Sequence, residues 1–215
     1  RRGLSNITIR PKLNPKREIV ISKPWLVSEK HALNFLESKR RWIENIYKCA
    51  PKKITLKSGD IVEFLGMSVL LIHKPETRLN KFEVLNEGQN VLYVGGDADM
   101  FEHRVRDFIK SELLKKIKDI IRTTPSELWP KRIALRDTSS RWGSCSSSGT
   151  MSFSWRLAFA PMDILRYVVI HEVSHVKYMN HSPEFWAFVS KLYGPGVGRA
   201  RRWLNQNGSG LYCYL

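Results

Sequence analysis

His171 and His175 stand four residues apart, and Glu172 follows the first of them, so the chain contains H-E-x-x-H. On a helix, residues at i and i+4 lie on one face, one turn apart. Two imidazoles at that spacing can reach a single Zn2+ ion. Glu172 then sits beside the first ligand, close enough to act on a zinc-activated water without binding the ion. This is the residue pattern of a zinc-dependent peptidase helix. A catalytic zinc takes about three protein ligands and leaves one position for water. His181, just past the expected helix, supplies the third. Glu184 competes for that role, but in the first turn behind Pro183 it also suits a helix N-terminus. The expected metal set is therefore His171, His175 and His181, with Glu172 as the catalytic residue.

These side chains need a rigid support. Ile164, Leu165, Val168 and Val169 precede the motif, so the helix, starting near Met162, is expected to be buried. A carboxylate there is costly without a partner. Ser182-Pro183 reads as an N-cap followed by a first-turn proline, so the helix breaks near His181 and a new one runs to Tyr193. A last helix is expected over 197–205. Upstream, 141–145 and 151–155 flank a Ser/Gly turn as a hairpin would. The outer edge of such a hairpin could take a substrate strand. Trp142 and Trp155 in it read as core. A strand at 133–135 comes before it.

The helical stripe Phe101, Val105, Phe108, Ile109, Leu113, Ile117 and Ile120 predicts a core helix over 100–122. The first third alternates differently. Strands are expected at 6–10 and 19–22, then a helix from Ser28 to about Lys48. Residues 54–56 and 61–65 flank Lys57-Ser58-Gly59-Asp60 as a hairpin, followed by strands at 69–72, 82–84 and 91–94. The expected fold class is α+β. A strand-rich N-terminal subdomain with an inserted helix (1–98) precedes a zincin-like helical metallopeptidase domain with a small antiparallel sheet (99–215).

Of 215 residues, 42% are hydrophobic, enough for a substantial core. The three cysteines, Cys49, Cys145 and Cys213, are odd in number and far apart. They point to reduced thiols and a cytoplasmic setting. A cysteine nucleophile at Cys145 lacks an activating context, and the histidines are better used as ligands. No stretch has the length of a membrane span, and no apolar leader is seen. The net charge of +16 suits DNA or another polyanion, through Arg1 to Arg17 and through Arg199, Arg201 and Arg202. His31, His73 and His103 read as surface residues. Tyr167, one turn before His171, could pack or assist an oxyanion.

Taken together, Arg141-Trp142-Gly143-Ser144-Cys145, Trp155-Arg156-Leu157 with Pro161, Tyr167 to His175, Asn180-His181-Ser182-Pro183 with Phe185-Trp186, and Arg202-Trp203-Leu204 resemble the YgjP-like (DUF45) family of zinc metallopeptidases, related to the M48 and SprT/WLM peptidases. The resemblance spans nearly the whole chain. It implies a three-histidine zinc site at His171, His175 and His181, with Glu172 as catalytic glutamate. Metzincins share the third-histidine spacing but need glycine where this chain has Tyr178. The resemblance supplies no substrate beyond a protein or peptide. By analogy alone, the SprT/WLM peptidases act on proteins crosslinked to DNA. The other reading is a basic nucleic-acid-associated adaptor with a structural or inactive zinc site. A structural site has no need of Glu172, which favours hydrolysis.

Overall fold

A computed structural model of the chain describes residues 6–12, 18–40, 43–44, 54–85, 89–138 and 141–213. Contacts divide the chain into two compact units, 1–52 and 53–215. The sequence predicts a boundary after residue 98. In the fold, the strands between 61 and 95 share one hydrophobic cluster with the C-terminal helices.

In the first unit, β1 (Thr8–Lys12) pairs antiparallel with β2 (Glu18–Ser22), Thr8 opposite Ser22. Helix α1 (Glu29–Ser38) starts where expected. The Ser28 hydroxyl accepts from the His31 amide at 3.2 Å, satisfying one of the first-turn donors that a helix leaves unpaired. Helix α1 ends at Ser38; Arg40, Ile43 and Glu44 are again helical, and the rest of the stretch expected to run to Lys48 lies outside the described residues.

The second unit opens with a four-stranded sheet in the order β3-β4-β6-β5. Its strands are β3 (Ile61–Phe64), β4 (Met67–Lys74), β5 (Lys81–Val84) and β6 (Asn90–Gly95), with β4 and β6 parallel. The hairpin expected at Lys57 to Asp60 is instead a turn held by the Lys57 amide on the Asp60 carboxylate (2.7 Å). The chain reverses at Leu65-Gly66, whose φ values are 52° and 81°. Two positive φ values at a two-residue turn match the right-handed twist of the flanking strands. Leu65 tolerates this unusual backbone because it is buried and its amide donates to Ala158 O at 2.8 Å. Gly66 lies against Pro161. The turn therefore braces the start of the motif helix.

Helix α2 (Phe101–Arg122) buries Phe101, Val105, Ile109, Leu113, Ile117 and Ile121, a strict four-residue repeat along one face. A second sheet follows, ordered β7-β9-β8, from β7 (Arg132–Arg136), β8 (Gly143–Cys145) and β9 (Thr150–Ser154). It is mixed, not antiparallel as expected. β8 and β9 form the antiparallel hairpin, but β9 folds into the middle and lies parallel to β7. That arrangement leaves β8 at the edge. Trp155 is buried and Trp142 half-buried, as core residues. Helices α3 (Met162–Ser174), α4 (Pro183–Tyr193) and α5 (Val197–Asn207) complete the unit. Among the described residues, no helix is long and apolar enough to cross a membrane.

Candidate active site

Helix α3 is apolar on nearly every side, and Val169, Ile170 and Val173 are fully buried. Such a helix is held by its surroundings, so the side chains on it are held as well. It stops at Ser174, with His175 in helical conformation as its C-cap. His171 and His175 therefore keep the one-turn spacing although the helix ends earlier than expected. The Ser182 hydroxyl caps α4 by accepting from the Phe185 amide at 3.4 Å. This fixes the loop on which His181 returns to the helix.

One ring nitrogen from each of His171, His175 and His181 lies within 4.8 Å of the other two. Nε2 of His171 and Nε2 of His181 are 3.1 Å apart. Two nitrogens bound to one tetrahedral zinc at about 2.0–2.1 Å would stand about 3.4 Å apart, close to the His171–His181 separation. His175 Nδ1 lies 2.9 Å from Tyr178 O. A carbonyl only accepts, so this contact places the proton on Nδ1 and leaves the lone pair on Nε2. Phe185, fully buried, packs its ring 5.0, 4.6 and 4.8 Å from the rings of His171, His175 and His181. It forms an apolar floor common to all three. Trp186 stacks on His181 at 5.6 Å.

Burial holds His171 far below the ordinary imidazole range, at about 3, and the neighbouring His175, His181 and Arg201 push the same way. His181 is lowered too, by desolvation first and then by His175 and Arg201. Both are therefore neutral at pH 7, the form that binds metal. Nδ1 of His171 is buried with no hydrogen-bond partner among the described residues.

Glu172 is 5% exposed. Burial pushes its carboxyl up to about 7, partly offset by the charge of Arg141. The carboxylate lies directly against Gly143 on the edge strand β8. A Cβ at Gly143 would stand 2.5 Å from Glu172 Oε1 and 2.6 Å from its Cγ. Only glycine leaves that room. In the sequence, Gly143 is only one residue of the Arg141-to-Cys145 segment, with no role of its own. Nothing local marks it, because its partner is 29 residues away.

The remaining candidates sort cleanly. Burial, followed by the nearby Glu172 charge, raises the Cys145 thiol, which disfavours a thiolate nucleophile. Glu184 is exposed and turned to Ser182 and its own amide, outside the histidine cluster. Tyr167 is buried, edge-on to Tyr193 at 5.8 Å and 6.0 Å from the His171 ring. His31 is exposed, and the exposed His103 pairs with Asp107 at 3.1 Å. His73 departs from the expected surface role. It is half-buried, its Nε2 2.6 Å from Gly96 O and its ring edge-on to Phe101 at 5.6 Å.

Three histidines that could hold a metal ion thus converge beside the buried Glu172. The family model for the YgjP-like metallopeptidase domain matches residues 6–207, and the chain belongs to this family. Among solved structures, it is similar to the metallopeptidase zymogen of Pyrococcus abyssi abylysin, with 22% identity and a TM-score of 0.35 over 49% of this chain and 98% of that one. No curated protein matches.

Proposed function

We propose that the chain is a zinc-dependent peptidase, with His171, His175 and His181 as ligands and Glu172 as general base. The observation that carries this is the convergence of three imidazole nitrogens within 4.8 Å beside a buried carboxylate. Bound there, zinc would acidify a water and polarise the scissile carbonyl. Glu172 would accept a proton from the attacking water and deliver it to the leaving amine. Its raised proton affinity suits both halves of this task, since a base that works near its own pKa accepts and returns a proton readily. Gly143 keeps the carboxylate in place. β8 carries Gly143 at the sheet edge, so a substrate strand adding to that edge would pass beside Glu172. Tyr178 O orients His175.

The test compares wild type with Glu172→Gln, which keeps size and shape but cannot accept the proton. Both should bind about one zinc per chain. Hydrolysis of an unstructured protein by the variant should fall by about 10² or more. Equal cleavage by both proteins would remove Glu172 from the chemistry. Absence of stoichiometric metal after zinc reconstitution would remove the metal site.

A further inference from the structure

We propose that Arg201 forms a carboxylate-binding subsite beside the metal centre, so that the enzyme prefers peptides with a carboxylate near the scissile bond. The inference rests on the peptidase reading above. Arg201 is exposed on α5, and its guanidinium carbon lies 4.3 Å from the centre of the Trp186 ring. That ring stacks on His181 with planes 29° apart, and lies 5.7 Å from the His171 ring. The cation is thus one aromatic ring away from two of the proposed ligands.

The ring contact restricts the guanidinium, and the exposure of Arg201 leaves its N–H edge accessible to solvent. That edge is the part of arginine that matches a carboxylate with two parallel hydrogen bonds. Less side-chain freedom is then lost when a carboxylate arrives. The protein does not fill the position itself. Among the described residues, no carboxylate lies within ion-pair distance of Arg201, whereas its neighbour Arg199 approaches Asp163 at 3.9 Å. Glu184, the acid closest in sequence to Trp186, is engaged at its own helix N-terminus. Hydrolysis of a neutral peptide bond does not require this uncompensated charge. A substrate carboxylate would use it. The carboxylate could belong to an aspartate or glutamate side chain, or to a peptide C-terminus.

The test uses the zinc-loaded full chain and quenched peptides of one length, neutral or with glutamate placed at each position around the cleavage point. Each peptide is made as free acid and as amide. Wild type should cleave the best acidic peptide about 10-fold more efficiently than the neutral one, mainly through KM. A tenfold ratio corresponds to about 1.4 kcal/mol, within the range of a hydrogen bond to a charged group. Arg201→Gln should erase this ratio with zinc content unchanged, Arg201→Lys should restore part of it, and Arg201→Glu should favour lysine-containing peptides. Loss of the preference on amidation alone assigns the C-terminus, and dependence on glutamate position assigns the side chain. A readout without catalysis is the affinity of the same peptides for zinc-loaded Glu172→Gln. The acidic peptide should bind about 10-fold more tightly, and adding Arg201→Gln should abolish the difference. Acid-selective binding without any cleavage would sink the peptidase reading and leave the subsite standing. Cleavage with no acid preference, or an equal loss for every peptide in Arg201→Gln, would overturn the subsite.

Discussion

Replacing Gly143 by alanine tests whether the edge strand positions the carboxylate proposed as general base. The added methyl would stand 2.5 Å from Glu172 Oε1, about 0.9 Å inside the 3.4 Å at which ordinary contact begins. Glu172 is 5% exposed and its helix neighbour Val173 fully buried, so the carboxylate has little room to retreat. Overpacking of this kind costs about 1–3 kcal/mol. For a chain of this size each kcal/mol lowers Tm by about 2–4 °C. A misplacement near 1 Å in a catalytic group costs about 10²-fold in rate, or about 2.7 kcal/mol of transition-state stabilisation. Gly143→Ala should therefore keep its zinc, lose several degrees of Tm, and lose about 10²-fold in kcat/KM. Metal analysis, calorimetry and peptide hydrolysis read the three separately. The clash can also be isolated. In a Glu172→Ala background the three atoms nearest the methyl added at position 143 are gone, so most of its Tm penalty should vanish. Full activity in Gly143→Ala, or an undiminished penalty in the Glu172→Ala background, would refute the reasoning.

Further outcomes follow from the same site. His171→Ala should lose stoichiometric zinc, unlike Glu172→Gln, as elemental analysis would read. In the metal-free chain, the Glu172 carboxyl is raised from 4.5 to about 7 by burial. The unfolded chain therefore ionises first, and stability should fall as pH rises from about 4.5 through 7, by up to about 3 kcal/mol. Calorimetry should show this slope in metal-free wild type and not in metal-free Glu172→Gln. His171 works in the opposite direction. Its value is lowered from 6.5 to about 3, so stability should fall as pH drops through that window, and His171→Gln should remove that loss. We also propose a polyanion partner. Arg199 and Arg202 are exposed on α5, and the net charge is +16. If DNA binds this surface, affinity should fall steeply with salt, and Arg199→Gln with Arg202→Gln should reduce the slope by roughly two. Salt-independent binding, or none at low salt, would leave the charge as a solvated surface.

What the sequence determined by itself is local. His171 and His175 share a face because of helix pitch, whatever surrounds them. Ser28 and Ser182 cap their helices because a hydroxyl three residues upstream reaches an unpaired amide. The four-residue repeat from Phe101 to Ile117 buries one side of α2 for the same reason. The candidate set His171, Glu172, His175 and His181 could therefore be named before any fold was known. What only the tertiary structure decided depends on residues distant in the chain. β9 lies between β7 and β8, which makes the sheet mixed and leaves β8 at the edge, and neither strand's alternation encodes its neighbour. The reversal at Leu65-Gly66 is tolerated because Leu65 docks on Ala158, 93 residues away. The strands after residue 53 pack with the later helices because the two share one apolar cluster, and no composition shift marks that choice. Gly143 meets Glu172 and Arg201 stacks on Trp186 only once α3, α4 and α5 have closed against the second sheet. Periodicity and capping act within a few residues along the chain, whereas close approach between a glycine and a carboxylate, or between a cation and a ring, exists only in the folded packing.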